Sequence, residues 1–318
     1  MQAILVEAGK VDLREVPQPK AGKGEVLVKV RLAGICGTDL EILRGYADFQ
    51  GVLGHEFVGT VIAGSTSLEG KRVVGEINCV CGRCDMCASG LSGHCRKRTV
   101  LGIAGRDGAF AEYVMLPERN CLEVPPGVSD EEAVFTEPLA AAYQVVRQVK
   151  IEPRMSVIVL GTGRLGLLVA QVLAQTGCRL TAVGRNPKTL GLLDRKRIRT
   201  ATVDETHRNQ DHDLVVDCTG SPEGLGIALG LVRPRGTIVL KTTCLMKGDV
   251  DLAQAVVNEV TILGSRCGPF GEALNALARK QVEVASMVTH VVPLAEGVKA
   301  LRLAGEPDQV KVLLKVGE

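Results

Sequence analysis

The chain has 318 residues, 46% of them hydrophobic, and 38 basic against 36 acidic side chains leave a net charge of +2. That length suits two domains with substantial cores, and the well-mixed charge excludes the extended basic surface that nucleic acid or an anionic membrane attracts. Eleven cysteines in a chain of this size point to metal sites in a reducing compartment, since a large core needs no disulfide scaffold.

The amino-terminal run Met1 to Lys10 reads as a short strand with an early acid, Glu7, and lacks the basic region followed by a long apolar one that marks a signal peptide. Charges or glycines interrupt every apolar run before the roughly eighteen residues that a membrane span requires. A cytoplasmic protein that uses neither membrane nor nucleic acid is expected. From residue 1 to about 127 the pattern is mainly β: Val26, Val28, Val30 and Leu32 alternate on one face, and Phe57–Ile62 and Arg72–Glu76 read as further strands between glycine-rich turns. Such spacing suits a barrel-like domain.

Within it, Gly34 to Glu56 gathers Cys36, Thr38, Asp39, His55 and Glu56, a thiolate, a hydroxyl, an imidazole and two carboxylates set mostly at the ends of apolar segments. Zinc accepts sulfur, nitrogen and oxygen together, and a catalytic site keeps one position open. Taken alone, a cysteine and a histidine with eighteen residues between them equally describe a buried thiol and a structural imidazole. Cys81-x2-Cys84-x2-Cys87-x7-Cys95 is more specific. Four thiolates so close together can converge on one tetrahedral zinc with no open position, which orders a lobe at 79–96; an iron–sulfur cluster calls for other spacings. Cys79, Cys121, Cys178, Cys218, Cys244 and Cys267 show no such pattern and read as small buried hydrophobes.

Pro125-Pro-Gly127 breaks the β pattern, and the acidic turn Asp130-Glu-Glu-Ala opens a helix. Beyond it the period changes. Val157–Leu160 is a continuous apolar run, as in a parallel strand covered on both faces. Leu165, Leu168, Val169, Val172 and Leu173 follow at helical spacing. Strands at Leu180–Val183, Leu214–Asp217, Gly236–Leu240 and Val260–Leu263, with a helix at Glu223–Val232, continue the alternation and predict a doubly wound parallel sheet. A helix at Phe270–Arg279 and a strand at Lys311–Val316 remain to return to the first domain. The predicted boundaries are 1–137, 138–266 and 267–318.

Gly161-Thr162-Gly163-Arg164-Leu165-Gly166 lies between the first of these strands and its helix. In that context the first glycine makes the tight turn, the second lets backbone approach a pyrophosphate, and the third lets helix and strand pack. The cofactor is read about twenty residues on, where an acid selects NAD and an Arg accommodates the 2′-phosphate of NADP. Here the strand ends Ala182-Val-Gly184-Arg185-Asn-Pro-Lys188, with no acid, and Arg185 and Lys188 can pair with a phosphate. NADP is favoured; two basic residues in an exposed turn leave NAD open.

Taken together, these motifs, with Gly-His-Glu-Phe-Val-Gly59, Gly108-Ala-Phe-Ala-Glu-Tyr-Val114, Thr136-Glu-Pro-Leu-Ala140 and Asp217-Cys-Thr-Gly220, make the chain resemble the zinc-dependent medium-chain dehydrogenases along nearly its whole length, in particular the sorbitol, threonine and glucose dehydrogenase branch. The resemblance implies a GroES-like catalytic domain split around a Rossmann domain, two zinc ions per chain, NADP or NAD as cofactor, an alcohol or carbonyl substrate, and a homodimer or homotetramer. It assigns Cys36 and His55 as catalytic zinc ligands, Glu137 or Glu56 as the third, and Asp39 as the acceptor that fixes the His55 tautomer. Thr38 takes the alcohol proton. Glu41 stands where many relatives carry the histidine of the outer proton relay, and its carboxylate suits that task less well. The segment from Arg185 to Asp217 is short for the family. With no Trp and few Phe or Tyr, a polyol, sugar or hydroxy-amino acid fits better than a bulky apolar alcohol; Tyr46 and Phe49 stand near enough in sequence to touch it. A catalytically retired member that binds NADP(H) as a sensor is the alternative, and the joint presence of Cys36, Thr38, His55, Glu56 and Glu137 counts against it.

Overall fold

A computed structural model describes residues 1–206, 209–244 and 248–317. The chain divides into two compact units, Met1–Glu137 with Phe270–Glu318 and Pro138–Pro269. The second unit is thus an insertion into the first.

In the first unit the central strand is Glu25–Gly34, whose apolar alternation buries Val26, Val28 and Val30. One flank pairs along its length with Glu56–Ala63. The other flank is shared: Tyr113–Pro117 takes the first half and Lys311–Lys315 the last three residues. These belong to one seven-stranded sheet. A three-stranded sheet built on Gln2–Glu7 joins it through a bridge between Ala3 and Ala111. A third small sheet, Asn78–Cys79 with Thr99–Leu101 and Gly105–Arg106, carries the cysteine lobe.

The second unit is a six-stranded sheet in the order 199–202, 179–184, 156–160, 212–217, 232–240, 261–264, with every pair parallel. That is a Rossmann order, in which the order of successive strands reverses beside the first strand, 156–160, and ligands bind at the carboxyl ends there. The core is the predicted run: Ile158, Leu160, Val215 and Ile238 are buried and pack with Ala228 and Leu229 of the helix Gly224–Leu231. Between Thr202 and His212 no helix forms among the described residues, and His207 and Arg208 lie outside them. The short segment noted in the sequence is this crossover, and a recess of about 500 Å³ lies over Ser156, Ile158, Thr181 and Ala201. The return to the first unit falls at Phe270, where the sequence reading placed it at 267.

One node of the first unit holds the residue before His55. Gly54 has φ +96°, a left-handed value that favours glycine, and a Cβ there would meet the buried Phe110 ring at 2.2 Å. Gly102 and Gly108 pack against the same backbone, since a Cβ on either would fall 2.4 or 2.2 Å from the Gly54 carbonyl oxygen. Ala109 N–H donates to that oxygen at 2.9 Å. Three chain segments meet here with no room for a methyl group, and the contact fixes where the next residue, His55, begins. Gly54→Ala combines overpacking with backbone strain and should destabilise the protein by about 2–3 kcal/mol, read as a lower urea midpoint; an unchanged midpoint would show that the node relaxes freely.

Candidate active site

Cys36 is the N-cap of the short helix Gly37–Leu43, and Asp39 completes its capping box by accepting from Cys36 N–H through Oδ2 at 2.8 Å. The other oxygen, Oδ1, lies 3.3 Å from His55 Nδ1. Asp39 is 0% and His55 2% exposed, so one buried carboxylate both starts the helix and turns the imidazole, leaving Nε2 for a metal. Burial opposes a charge on His55, yet Asp39 and then Cys36 outweigh it and carry its pKa well above the ordinary imidazole value.

Ligand atoms of Cys36, His55 and Glu56 lie within 4.8 Å of one another. One sulfur, one nitrogen and one carboxylate oxygen at that separation suit a catalytic zinc. Glu56 Oε1 is buried with no hydrogen-bond partner among the described residues, the kind of orphan atom that a cation satisfies. Glu137 is not one of the three; it stands in the first turn of the helix Thr136–Gln148 and is 9% exposed. Thr38 Oγ1 accepts from the Cys36 thiol at 3.8 Å. Glu41 accepts from Arg44 Nη1 at 2.6 Å, so its carboxylate faces a guanidinium. Phe49 is 7% exposed and packs beside Gly51. It belongs to the buried core of the first unit.

The second oxygen of Glu56 has a partner that sequence reasoning did not find. Lys311 Nζ donates to Glu56 Oε2, both side chains being almost wholly buried at 2% and 0% exposure. Lys311 also lies 5.4 Å from the centroid of the Phe135 ring. Gly34 stands between these partners in the sheet, paired with Glu56 on one side and Leu313 on the other. A Cβ on Gly34 would fall 2.5 Å from Glu56 Oε2. Gly34 is therefore bare so that a carboxylate can cross it to the strand beyond.

The cysteine quartet converges as its spacing predicts. Four sulfurs at zinc–sulfur distances of about 2.3 Å in a tetrahedron stand about 3.8 Å apart. Here Cys84 lies 3.5 Å from Cys87 and 3.8 Å from Cys95, and Cys95 lies 3.5 Å from Cys81. Backbone N–H groups of Cys87 and Arg96 hold the Cys84 thiol down at about 6, toward the thiolate that a metal binds. Of the other six cysteines only Cys79 is fully buried, and the remaining five are half-buried. Burial pushes Cys121 and Cys218 up to about 12, which leaves both as inert thiols.

The cofactor turn also has the geometry its function demands. Gly161 has φ +97°, and a Cβ there would strike the backbone of Cys218 at 2.7 Å. A Cβ on Gly166 would fall 1.8 Å from the Gly161 carbonyl oxygen, whereas Gly163 faces open space. Thus the first and third glycines close the turn and the second leaves room for a phosphate. Gly163 caps the helix Arg164–Ala174 with no side-chain hydrogen bond, so its first N–H groups point at that space. Arg185 and Lys188 are exposed just beyond Gly184.

The Alcohol dehydrogenase GroES-like domain model matches residues 22–126, and the Glucose dehydrogenase C-terminus model matches residues 131–316. The chain belongs to the zinc-dependent medium-chain alcohol and polyol dehydrogenases. It is 30% identical to a sorbitol dehydrogenase of Halalkalibacterium halodurans, over 96% of both chains. The structure of a zinc-binding dehydrogenase from Sinorhizobium meliloti 1021 bound to NADP superposes with TM-score 0.88 at 28% identity, covering 99% of this chain and 98% of that one. An alcohol dehydrogenase of E. coli CFT073 complexed with NADH gives TM-score 0.90 at 28% identity and 99% coverage of each. This dehydrogenase is thus an oxidoreductase that exchanges a hydride between an alcohol and a nicotinamide cofactor. Among its described residues no helix is long and apolar enough to cross a membrane.

Lys311 escaped sequence reading because a lysine in a strand signals a solvent face. Replacing it with Met leaves a buried carboxylate without its cation. Lys311→Met should cost about 3–5 kcal/mol by urea unfolding, with Lys311→Arg retaining most of the stability; a Met variant as stable as the parent would show that the ion pair is dispensable.

Proposed function

We propose that this protein is an active, NADP-preferring dehydrogenase of polyhydroxylated secondary alcohols, carrying a catalytic and a structural zinc in each chain. The observation that carries the reading is the convergence of Cys36, His55 and Glu56 with Asp39 behind the imidazole. Cys36 and His55 are the first two catalytic ligands, and a carboxylate from Glu137 or Glu56 is the third. Lys311 claims Oε2 of Glu56 and leaves Oε1 without a partner among the described residues, so Glu56 keeps an oxygen to offer. Cys81, Cys84, Cys87 and Cys95 hold the structural ion.

A zinc ion held there would acidify a substrate hydroxyl, and a nicotinamide held at Gly161–Gly166 would supply or accept the hydride. The chain's own residues do the rest. Asp39 keeps a proton on Nδ1 so that Nε2 stays a ligand. Thr38, within reach of Cys36, receives the substrate proton at Oγ1 and passes on its own. Glu41 offers a next station for that proton, although its pairing with Arg44 holds the carboxylate to another partner. Arg185 and Lys188 receive the 2′-phosphate, as the bound NADP of the Sinorhizobium protein encourages. The choice of substrate class draws on an aromatic content of only 3% and on the sorbitol dehydrogenase relative. Self-association is supported by the edge strand Thr261–Gly264, which exposes Ile262, and by Leu252, Val256 and Val257 of the preceding helix, 57%, 76% and 80% exposed.

Metal analysis with cofactor titration tests the reading. Two zinc ions per chain are expected, one resistant to chelation and one exchangeable, with NADPH bound more tightly than NADH; a single zinc or a clear NADH preference would sink the corresponding part. Glu137→Ala should empty the exchangeable site and spare the cysteine site, and unchanged occupancy transfers the third-ligand role to Glu56. Thr38→Ala should keep both metals and lower turnover by about 100-fold or more; a variant as fast as the parent removes Thr38 from the proton path.

A further inference from the structure

Gly184 ends the strand Arg179–Gly184, where an NAD-binding turn carries its acid. A side chain has no room there. A Cβ on Gly184 would lie 2.0 Å from Thr162 Oγ1, 2.9 Å from its Cγ2 and 3.0 Å from its Cβ. Thr162 is the second residue of the glycine turn and is 4% exposed. Its β-branched side chain is stiff at χ1, and its hydroxyl lies 2.8 Å from Thr189 Oγ1. Thr189 spends its one hydroxyl proton on the Asn186 carbonyl at 3.0 Å, so Thr162 donates to Thr189. Asn186 Oδ1 in turn accepts from Lys188 N–H at 2.9 Å and caps the helix Pro187–Asp194. A continuous line of hydrogen bonds therefore runs from the pyrophosphate turn to the turn bearing Arg185 and Lys188. Rotating Thr162 out of the way of a new side chain would break that line at its first link.

We propose that Thr162 is the positioning residue that sets cofactor preference: it fills the space above Gly184, bars an acid from the place that reads the ribose 2′-hydroxyl, and through Thr189 holds the Arg185–Lys188 turn ready for a 2′-phosphate. The inference rests on the NADP reading above. It differs from a simple absence of acid in that the acid cannot be restored at one position. Residues 162 and 184 must change together.

Two cycles on the full-length protein test it. In the first, Gly184→Ala, Thr162→Gly and the double variant are melted without cofactor. Gly184→Ala should lower the melting temperature by about 3–6 °C, and adding Thr162→Gly should return most of that loss. A Gly184→Ala protein that melts with the parent, or a double variant that only sums the single effects, overturns the steric coupling. In the second cycle NADH and NADPH are titrated by nicotinamide fluorescence. Gly184→Asp alone should gain no affinity for NADH, whereas Thr162→Gly with Gly184→Asp should bind NADH about tenfold more tightly than the single variant. An equal gain from Gly184→Asp alone overturns the proposal. A parent enzyme that prefers NADH overturns the phosphate reading of Arg185 and Lys188 and leaves the melting cycle to judge the coupling on its own. Should Gly184→Asp fail to fold, the alanine cycle still decides.

Discussion

Burying a carboxylate beside a metal site costs several kcal/mol unless a cation and hydrogen bonds receive it, and much of the catalytic unit is arranged to meet that demand for Glu56. The carboxylate cannot reach its partner within its own strand. It crosses Gly34, which carries no side chain, to Lys311 on the far strand, and the aromatic ring of Phe135 faces the ammonium. The arrangement explains why the central strand divides its second flank between two partners: the last three paired residues bring the C-terminal strand, and with it the lysine, alongside the metal motif. Asp39 meets the same demand by local means, through the Cys36 N–H and the His55 ring. Each acid thereby has an oxygen whose direction is assigned, as a metal site with fixed ligand geometry needs.

The parts of this site that could be read from sequence are those in which spacing alone states the chemistry. The four cysteines within fifteen positions, the glycine turn between a buried strand and an amphipathic helix, and the missing acid at Gly184 are local patterns. Cys36 and His55 became legible only through the wider set of motifs, because a lone thiol and imidazole have ordinary structural uses. Lys311 lay beyond reach: it is 255 residues from Glu56, and nothing in Lys-Val-Leu-Leu-Lys distinguishes its buried first lysine from its exposed second. Gly34 was visible as part of a motif, but its reason is the path of another residue's carboxylate. Thr162 was legible as a member of the cofactor turn, but its contact across to the next strand was not. Its contact with Gly184 and its bond to Thr189 arise from the parallel register that sets Leu160 beside Val183, and register is a property of two strands rather than of either sequence.

The two units use close approach in opposite ways. Around Gly54, Gly102 and Gly108 backbone meets backbone to fix a ligand, and no space is left. At Gly161 and Gly166 the chain is just as tight, but the tightness surrounds an opening at Gly163. The contrast matches the tasks. A metal ligand must be held to within a fraction of an ångström, whereas a diphosphate is gripped by a set of N–H groups at a helix end. The crossover between Thr202 and His212 forms no helix among its described residues, and the turn and its helix stand complete without one.

The placement of Lys311 also bears on how the molecule is made. A ribosome delivers Glu56 and the strand around it early, and the cation that neutralises that carboxylate only after the whole of Pro138–Pro269 has been synthesised. Domains generally fold as units during synthesis, so the nucleotide-binding unit, whose six strands lie within one continuous stretch of chain, can close on itself while its host is still incomplete. For that interval the nascent catalytic unit carries a carboxylate whose final partner does not yet exist. The Glu56–Lys311 pair therefore forms only once the C-terminal strand has been made.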